Sequence, residues 1–437
     1  MSYVSATSDR GAGASRHDAL AAGVGDARPG SGDDNDGALL TLNCGSSSLK
    51  FAVFSLAGEP RRLLSGAISG VGADKSRFRA VDAAGMALWD ETETCVNHAA
   101  AIDLAIGRLA RAEGVGAIRL VGHRVVHGGP DCDCPELVTA QVEERLRRLI
   151  PLAPLHLPAN LDGIAAARLL LPQSRHVACF DTAFHQSAPS VARLTGLPRE
   201  LEEREIRRYG YHGLSYEYVI DRIRRNEGVV ALDARIIVAH LGAGASMAAI
   251  RNGRTIDTTM GFSTAAGLPM ATRSGDIDPG LFVYLLMEKG WSAPELQNLL
   301  YERSGLLGLS GQTGDMAVLT APAADEDARR AVEYFCYQAR KHIGALAAAM
   351  GGLDRIVFTG GVGANSSEIR ARICTPLESL FGISLDPVRN AGNHPVISSD
   401  ASSLRVDVLP TDEELMIARH TAAFASDRSA SMVNAQS

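Results

Sequence analysis

Apolar residues run almost unbroken through residues 38–42 and again through 49–54, separated by the small or polar Asn43-Cys44-Gly45-Ser46-Ser47-Ser48. Short continuous apolar runs bounded by turn residues mark strands covered on both faces, so this segment predicts strand, turn, strand. About 200 residues later the pattern returns. A run at 235–241 centred on Ile236-Ile237-Val238 is followed by the turn Gly242-Ala243-Gly244-Ala245-Ser246 and a second run at 247–250. Asn252-Gly253 is then a hairpin signal, because both residue types tolerate positive φ. A third run at 355–359 leads into Gly360-Gly361-Val362-Gly363-Ala364-Asn365, read as another turn, with a helical pattern from about Ser367. Residues 98–113 and 328–350 carry apolar side chains at helical spacing and stop at Gly114 and at Gly351-Gly352, where glycine ends a helix well. Strands alternating with helices predict an α/β protein with mixed sheets, and the recurrence suggests a duplicated domain.

Residues 1–37 break this pattern. They are rich in Gly, Ser, Ala and Asp, cannot bury enough apolar surface to offset their ordering entropy, and predict a disordered tail; residues 426–437 read the same way. The 437 residues exceed what one core serves, and 46% hydrophobic against 21% charged content fits a folded globular protein. A net charge of −7 without a dense Lys/Arg run argues against nucleic acid as a partner. Arg145, Arg147 and Arg148 stand beside Glu143 and Glu144, as on a solvated helix face. The chain has neither a run of about 18 apolar residues to span a membrane nor an apolar signal core at its start. Seven scattered cysteines fit a reducing cytoplasm better than a disulfide framework. Cys132 and Cys134 lack a second pair at zinc-ligand spacing and read as a loop.

The small-residue turns bring in chemistry. Where side chains are absent or short, backbone N–H groups approach phosphate oxygens closely. Ser46, Ser47 and Ser48 add hydroxyl donors, and Lys50 adds a charge. Any one such turn is as easily a structural hairpin; three in one chain, each at a strand end, point to phosphate handling. No G-x-x-x-x-G-K-[ST] segment marks a P-loop, and the glycines at 360–363 lack dinucleotide-binding spacing. Hairpin phosphate loops on duplicated domains suggest, by fold analogy, the two-lobed ribonuclease H-like architecture of actin, Hsp70 and the sugar-kinase ATPases.

Four segments supply charge: Gly122-His123-Arg124-Val125-Val126-His127-Gly128-Gly129, Phe180-Asp181-Thr182-Ala183-Phe184-His185, Arg207-Arg208-Tyr209-Gly210-Tyr211-His212-Gly213 and Ala271-Thr272-Arg273-Ser274-Gly275-Asp276. Phosphoryl transfer spreads charge over equatorial oxygens and needs cations and donors around them, and the arginine fork grips carboxylate or phosphate with two bonds. Taken singly, Arg124 and Arg273 are equally well structural ion-pair residues, and His212 a satisfied core histidine.

Together with Pro410-Thr411-Asp412-Glu413-Glu414-Leu415, these segments, in order and over about 38–420, resemble the acetate kinase family of acetate and propionate kinases. The resemblance implies reversible phosphoryl transfer between ATP and a short carboxylate, giving an acyl phosphate and ADP, with magnesium or manganese. By motif, Asn43 and Glu413 would hold the metal. Lys50, His240, Leu241, Gly242, Ala243, Gly244, Asp315, Met316, Ala317, Gly361, Val362, Gly363, Ala364 and Asn365 would hold the nucleotide. Arg124 and Arg273 would bind the carboxylate and the moving phosphoryl group, Asp181 would orient or deprotonate the attacking group, and His212 would stabilise the transition state. Val126, Leu155, Tyr211 and Thr264 would wall the acyl pocket. The resemblance also implies a homodimer.

The chain departs from the family pattern at Ala243, Ala317 and Ala364, where polar groups are usual, which puts the phosphoryl donor in question: weakened nucleotide binding or a donor such as pyrophosphate. Tyr211 and Thr264 replace the usual Phe and Pro and add hydroxyls near the acyl pocket, so acetate, propionate and larger acids stay open. A weakly active binding protein and a sugar kinase or regulator of the same architecture are the rival classes. Lobes are expected at 38–185 and 186–411, with 412–425 returning as a helix that carries Glu413 to the cleft.

Overall fold

The computed structural model describes residues 37–201 and 205–425. The expected tails lie outside the described residues, except that Gly37 already belongs to the first strand. One sheet holds β1 (Gly37–Cys44), β2 (Ser48–Ser55), β3 (Arg62–Ser69), β4 (Ser76–Asp82), β5 (Ala87–Glu93), β6 (Ala117–Val125), β7 (Glu136–Leu137) and β8 (Arg175–Phe180), in the order β5-β4-β3-β2-β1-β6-β8-β7. The other holds β9 (Ile236–Leu241), β10 (Ala245–Arg251), β11 (Arg254–Thr258), β12 (Arg355–Thr359) and β13 (Arg405–Val408), in the order β11-β10-β9-β12-β13.

The two sheets repeat one scheme. β1, β2 and β3 run antiparallel, β6 is parallel to β1, and β8 is parallel to β6. β9, β10 and β11 run antiparallel, β12 is parallel to β9, and β13 is parallel to β12. The first sheet extends this five-strand core with β4 and β5 on one side and β7 on the other. The duplication suggested by the sequence is therefore visible in strand order and sense.

The helices used below are α1 (His98–Leu109), α2 (Leu157–Leu170), α3 (Gly213–Glu227), α4 (Pro279–Met287), α5 (Glu326–Met350), α6 (Gly360–Asn365), α7 (Ser367–Cys374) and α8 (Glu413–Ala422). The continuous apolar strands are covered on both faces, as their sequences require. Ala38, Leu40 and Leu42 of β1 pack with Ala101, Ile102 and Ala105 of α1, while Leu39, pointing the other way, packs with Ala418 of α8. Outer β4, by contrast, alternates buried and exposed residues. α5 lays Phe335, Ala339 and Ile343 on the second sheet. Its Asp325 side chain accepts from Ala328 N–H, capping one end, and Gly351 ends it at φ 72°. Asn252 and Gly253 have φ of 52° and 71°, the doubly positive turn their sequence predicts.

Three expectations need correction. The first two turns are shorter than read: β1 runs through Cys44, and β10 already starts at Ala245. The third is no turn, because residues 360–365 form the helix α6 after a parallel strand, so it is not part of a hairpin. α1 ends at Leu109, short of Gly114.

Candidate active site

Two strands of the first sheet, the residue that follows β8 and one helix start converge on Arg124. It is the penultimate residue of β6, whose neighbours β1 and β8 bring Asn43 and Asp181 alongside. Its Nε and Nη2 donate to the two Asp181 oxygens at 3.2 and 2.5 Å, and its Nη1 donates to Asn43 Oδ1 at 3.1 Å. Glu413, the first residue of α8, places a carboxylate oxygen 3.8 Å from Arg124 Nε. Asp181 is buried. Burial raises its carboxyl above the ordinary value, and Arg124 pulls against that. Burial likewise acts against the guanidinium charge, but Asp181, Glu413 and Glu414 outweigh it and raise the Arg124 pKa. The two-bond pairing keeps both groups charged at neutral pH. Lys50 stands directly opposite Asn43 in the β1–β2 register and is exposed.

Glycine is required where the next group enters. Gly213 N donates to Asp181 O at 2.9 Å, and a Cβ on Gly213 would collide with that carbonyl. This contact fixes the start of α3, and the preceding His212 sits in the left-handed region at φ 58°, a strained conformation for an imidazole residue. The His212 ring stacks on His240, at the end of β9, with centroids 4.3 Å apart and 16° between planes. Each ring is held by a serine: Ser246 Oγ lies 2.8 Å from His212 Nδ1, and Ser215 Oγ 2.8 Å from His240 Nδ1. Burial, then His240, Arg124 and Arg273, hold the His212 pKa well below its ordinary value. Burial, then Arg124, lowers His240 to about 4. Both rings are neutral at pH 7.

Arg273 differs from Arg124. Its neighbours are His156 Nε2 at 3.4 Å, the Thr264 carbonyl at 3.3 Å and the Met270 sulfur at 3.8 Å. Among the described residues no carboxylate pairs with it. Burial lowers its pKa. His156, just before α2, was not singled out from sequence; burial, then Arg273 and Arg124, lowers it to about 4. A small cavity of about 10 Å³, room for one water- or methyl-sized group, is walled by Leu152, Ala153, Leu155, His156, Tyr211 and Thr264 among others. Of the four expected acyl-pocket residues, Val126 is not on this wall. The Tyr211 hydroxyl donates to Phe262 O at 2.8 Å and is therefore engaged. A larger cavity, about 430 Å³ beside Ser367 and Asn390, shares none of these residues.

The remaining candidates come together only in part. Gly242 lies against Gly361, so the second turn and α6 are adjacent. Ala271 N donates to Ala243 O at 3.0 Å, tying that turn to the segment bearing Arg273. Gly314 packs on Ala271 and brings up Asp315, whose side chain accepts from Ala317 N at 2.9 Å. Ala243, Asp315, Ala317, Gly361 and Asn365 are exposed, and Gly242, Gly244 and Val362 half-buried. Leu241, Met316, Gly363 and Ala364 are buried, and the side chains of Leu241, Met316 and Ala364 belong to the core. Those three side chains pack in the interior, so only the backbone of these residues is left to face a ligand.

Comparison with known proteins identifies the family. The sequence model of the Acetokinase family matches residues 38–419. The chain is 47% identical to the acetate kinase of Nitrobacter hamburgensis over 400 residues, 90% of this chain and 98% of that protein. It is 45% identical to that of Rhizobium meliloti over 393 residues, 89% and 98% of the two chains. Among solved structures it resembles a Francisella tularensis propionate kinase (TM-score 0.83, 35% identity, 89% and 99% coverage). It also resembles Porphyromonas gingivalis acetate kinase (TM-score 0.79, 37% identity, 89% and 100% coverage). With a family match across nearly all the described residues, the chain belongs to the acetokinase family, kinases that transfer a phosphoryl group to a carboxylate.

Proposed function

We propose that the enzyme transfers the γ-phosphoryl group of ATP reversibly to acetate, giving acetyl phosphate and ADP. The observation that carries this reading is Arg273, a half-buried cation without a carboxylate partner among the described residues, next to a cavity of methyl size. A carboxylate is already ionised at neutral pH, so no base is needed. Its oxygen forms a bond to the γ-phosphorus while the bond to the ADP oxygen breaks, and the electron pair leaves with ADP. Arg273 takes the carboxylate or the moving group, His212 faces the phosphoryl oxygens, and Asp181 holds Arg124 in place rather than removing a proton. Lys50, His240, the 242–244 turn, α6 and the 315–317 segment receive the donor. Asn43 and Glu413 are hard oxygen donors that both flank the Arg124 guanidinium, a donor chemistry that suits magnesium or manganese completed by water and phosphate oxygens; such an ion would neutralise donor charge when bound.

Exposed Ala243 and Ala317 offer a donor only methyl groups, which favours pyrophosphate as the alternative. Acyl phosphate formation with ATP, GTP and pyrophosphate against acetate, propionate, butyrate and glycolate decides both substrates. We expect the highest kcat/KM for ATP with acetate, and no product with any acid would refute the reading.

Residues 38–185 and 186–411 form the two lobes in this reading, with 412–425 closing on the first; the packing of α8 on β1 supports this. α4 has no buried residue and exposes Leu281, Val283, Tyr284, Leu286 and Met287, which supports a homodimer through that face. Cys44, Cys95, Cys132, Cys179, Cys336 and Cys374 are free thiols, which supports a reducing cytoplasm, and no helix among the described residues is long and apolar enough to cross a membrane.

A further inference from the structure

Two residues around His212 have no part in the reading above. Tyr216 lies one turn into α3 and Ser246 is the second residue of β10; both are fully buried. Ser246 Oγ lies 2.5 Å from Tyr216 Oη and 2.8 Å from His212 Nδ1. Each hydroxyl carries one proton, and a neutral imidazole carries one on either nitrogen.

If that proton sits on Nδ1, the chain cannot close. Either Nδ1–H and the Tyr216 phenol both donate to Ser246 and the serine proton has no acceptor, or Ser246 donates to Tyr216 and the phenol proton is stranded. If it sits on Nε2, Tyr216 donates to Ser246, Ser246 donates to Nδ1, and every buried hydrogen is used. Stranded buried donors are disfavoured, so the second arrangement wins. The other end of the ring faces the 242–244 turn: a Cβ on Gly244 would stand 3.4 Å from Nε2.

We propose that Tyr216 and Ser246 are positioning residues that hold His212 in the tautomer protonated on Nε2, so that the ring meets the moving phosphoryl group as a donor. The opposite tautomer would aim a lone pair at phosphate oxygens. The functional half of this inference rests on the assignment of His212 to the phosphoryl group; the tautomer does not.

The full-length enzyme labelled with 15N-histidine tests it, with the His212 signals assigned by their loss in His212→Asn. Long-range 1H–15N correlation should find Nε2 protonated and Nδ1 unprotonated at neutral pH. Ser246→Ala should move the proton onto Nδ1 or mix the two forms, and lower kcat at least about tenfold with acetate KM unchanged. Tyr216→Phe, which keeps the ring packing, should shift the tautomer the same way with a smaller loss of kcat. A wild-type ring protonated on Nδ1 overturns the proposal, as does either variant keeping the Nε2–H form and full kcat. An enzyme inactive on every acid would refute the acetate kinase reading while leaving the ring measurement intact.

Discussion

The two sheets share one strand order yet bring opposite things to the site. The first delivers a closed network: Arg124 has its donors on Asp181 and Asn43, with Glu413 beside them. The second half of the chain delivers an open one: Arg273 between an imidazole, a carbonyl and a thioether, and two neutral histidines beside a bare glycine turn. A half-buried cation that has its anions reads as framework; one without them is open to a ligand. In the proposed reading, the first copy of the fold supplies most of the frame and the second most of the receptor.

The comparison can be broken most directly at the frame. Arg124→Ala strands a buried Asp181 carboxylate, so unfolding free energy measured in denaturant should fall by about 3–5 kcal/mol. Unchanged stability would mean that Arg124 is no more framework than Arg273. Arg273→Ala should do the reverse, lowering kcat/KM for the acid by about 10²–10³ while stability holds or rises. If it destabilises as Arg124→Ala does, Arg273 is paired in solution and the contrast fails.

Acid should act on both halves. Burial lowers His127, His156, His185 and His240 to about 4 in the native protein, while the unfolded chain takes up these protons near the ordinary 6.5. Between those values the unfolded state binds more protons, so stability should fall as pH drops from about 6.5 to about 4. Denaturant midpoints across that range should show the slope, and His240→Asn should flatten it. A smaller effect sharpens the receptor side. Adding polar groups at the exposed positions, Ala243→Asn with Ala317→Arg, should lower the donor KM several-fold, about 1 kcal/mol per hydrogen bond. The smallest effect is expected of Tyr211→Phe: the lost hydroxyl bonds the Phe262 carbonyl, so the preference between acetate and propionate, compared by kcat/KM, should not move.

Much of the frame was legible because its signals are local. β1 and β9 announce themselves by unbroken apolar runs, Asn252-Gly253 by its tolerance of positive φ, and the end of α5 by Gly351. The 360–365 segment misled because glycines read as a turn; what makes it a helix is tertiary, Gly360 pressed against the Leu241 carbonyl at φ 76°. Composition could not tell which alanine faces solvent, so Ala364 was grouped with Ala243 and Ala317 although it lies in the core. The motif segments singled out Arg124, Asp181 and Arg273, but not that Arg124 pairs with Asp181 while Arg273 has no carboxylate partner among the described residues. His156 and the Tyr216–Ser246 pair stayed hidden because their partners are far off in sequence: Arg273 for His156, and a strand of the second sheet for Tyr216.

α8 bears on how the molecule is made. It is synthesised after every strand of both sheets, yet it supplies Glu413 to the Arg124 network and covers Leu39, Ala52, Phe54 and Leu120. On the ribosome, a chain can therefore pair all its strands and still show an uncovered greasy face and an unfinished centre. In the proposed reading, turnover has to wait until α8 has been made and has docked. A message truncated before residue 413 would yield a chain that lacks both this apolar cover and the carboxylate beside Arg124.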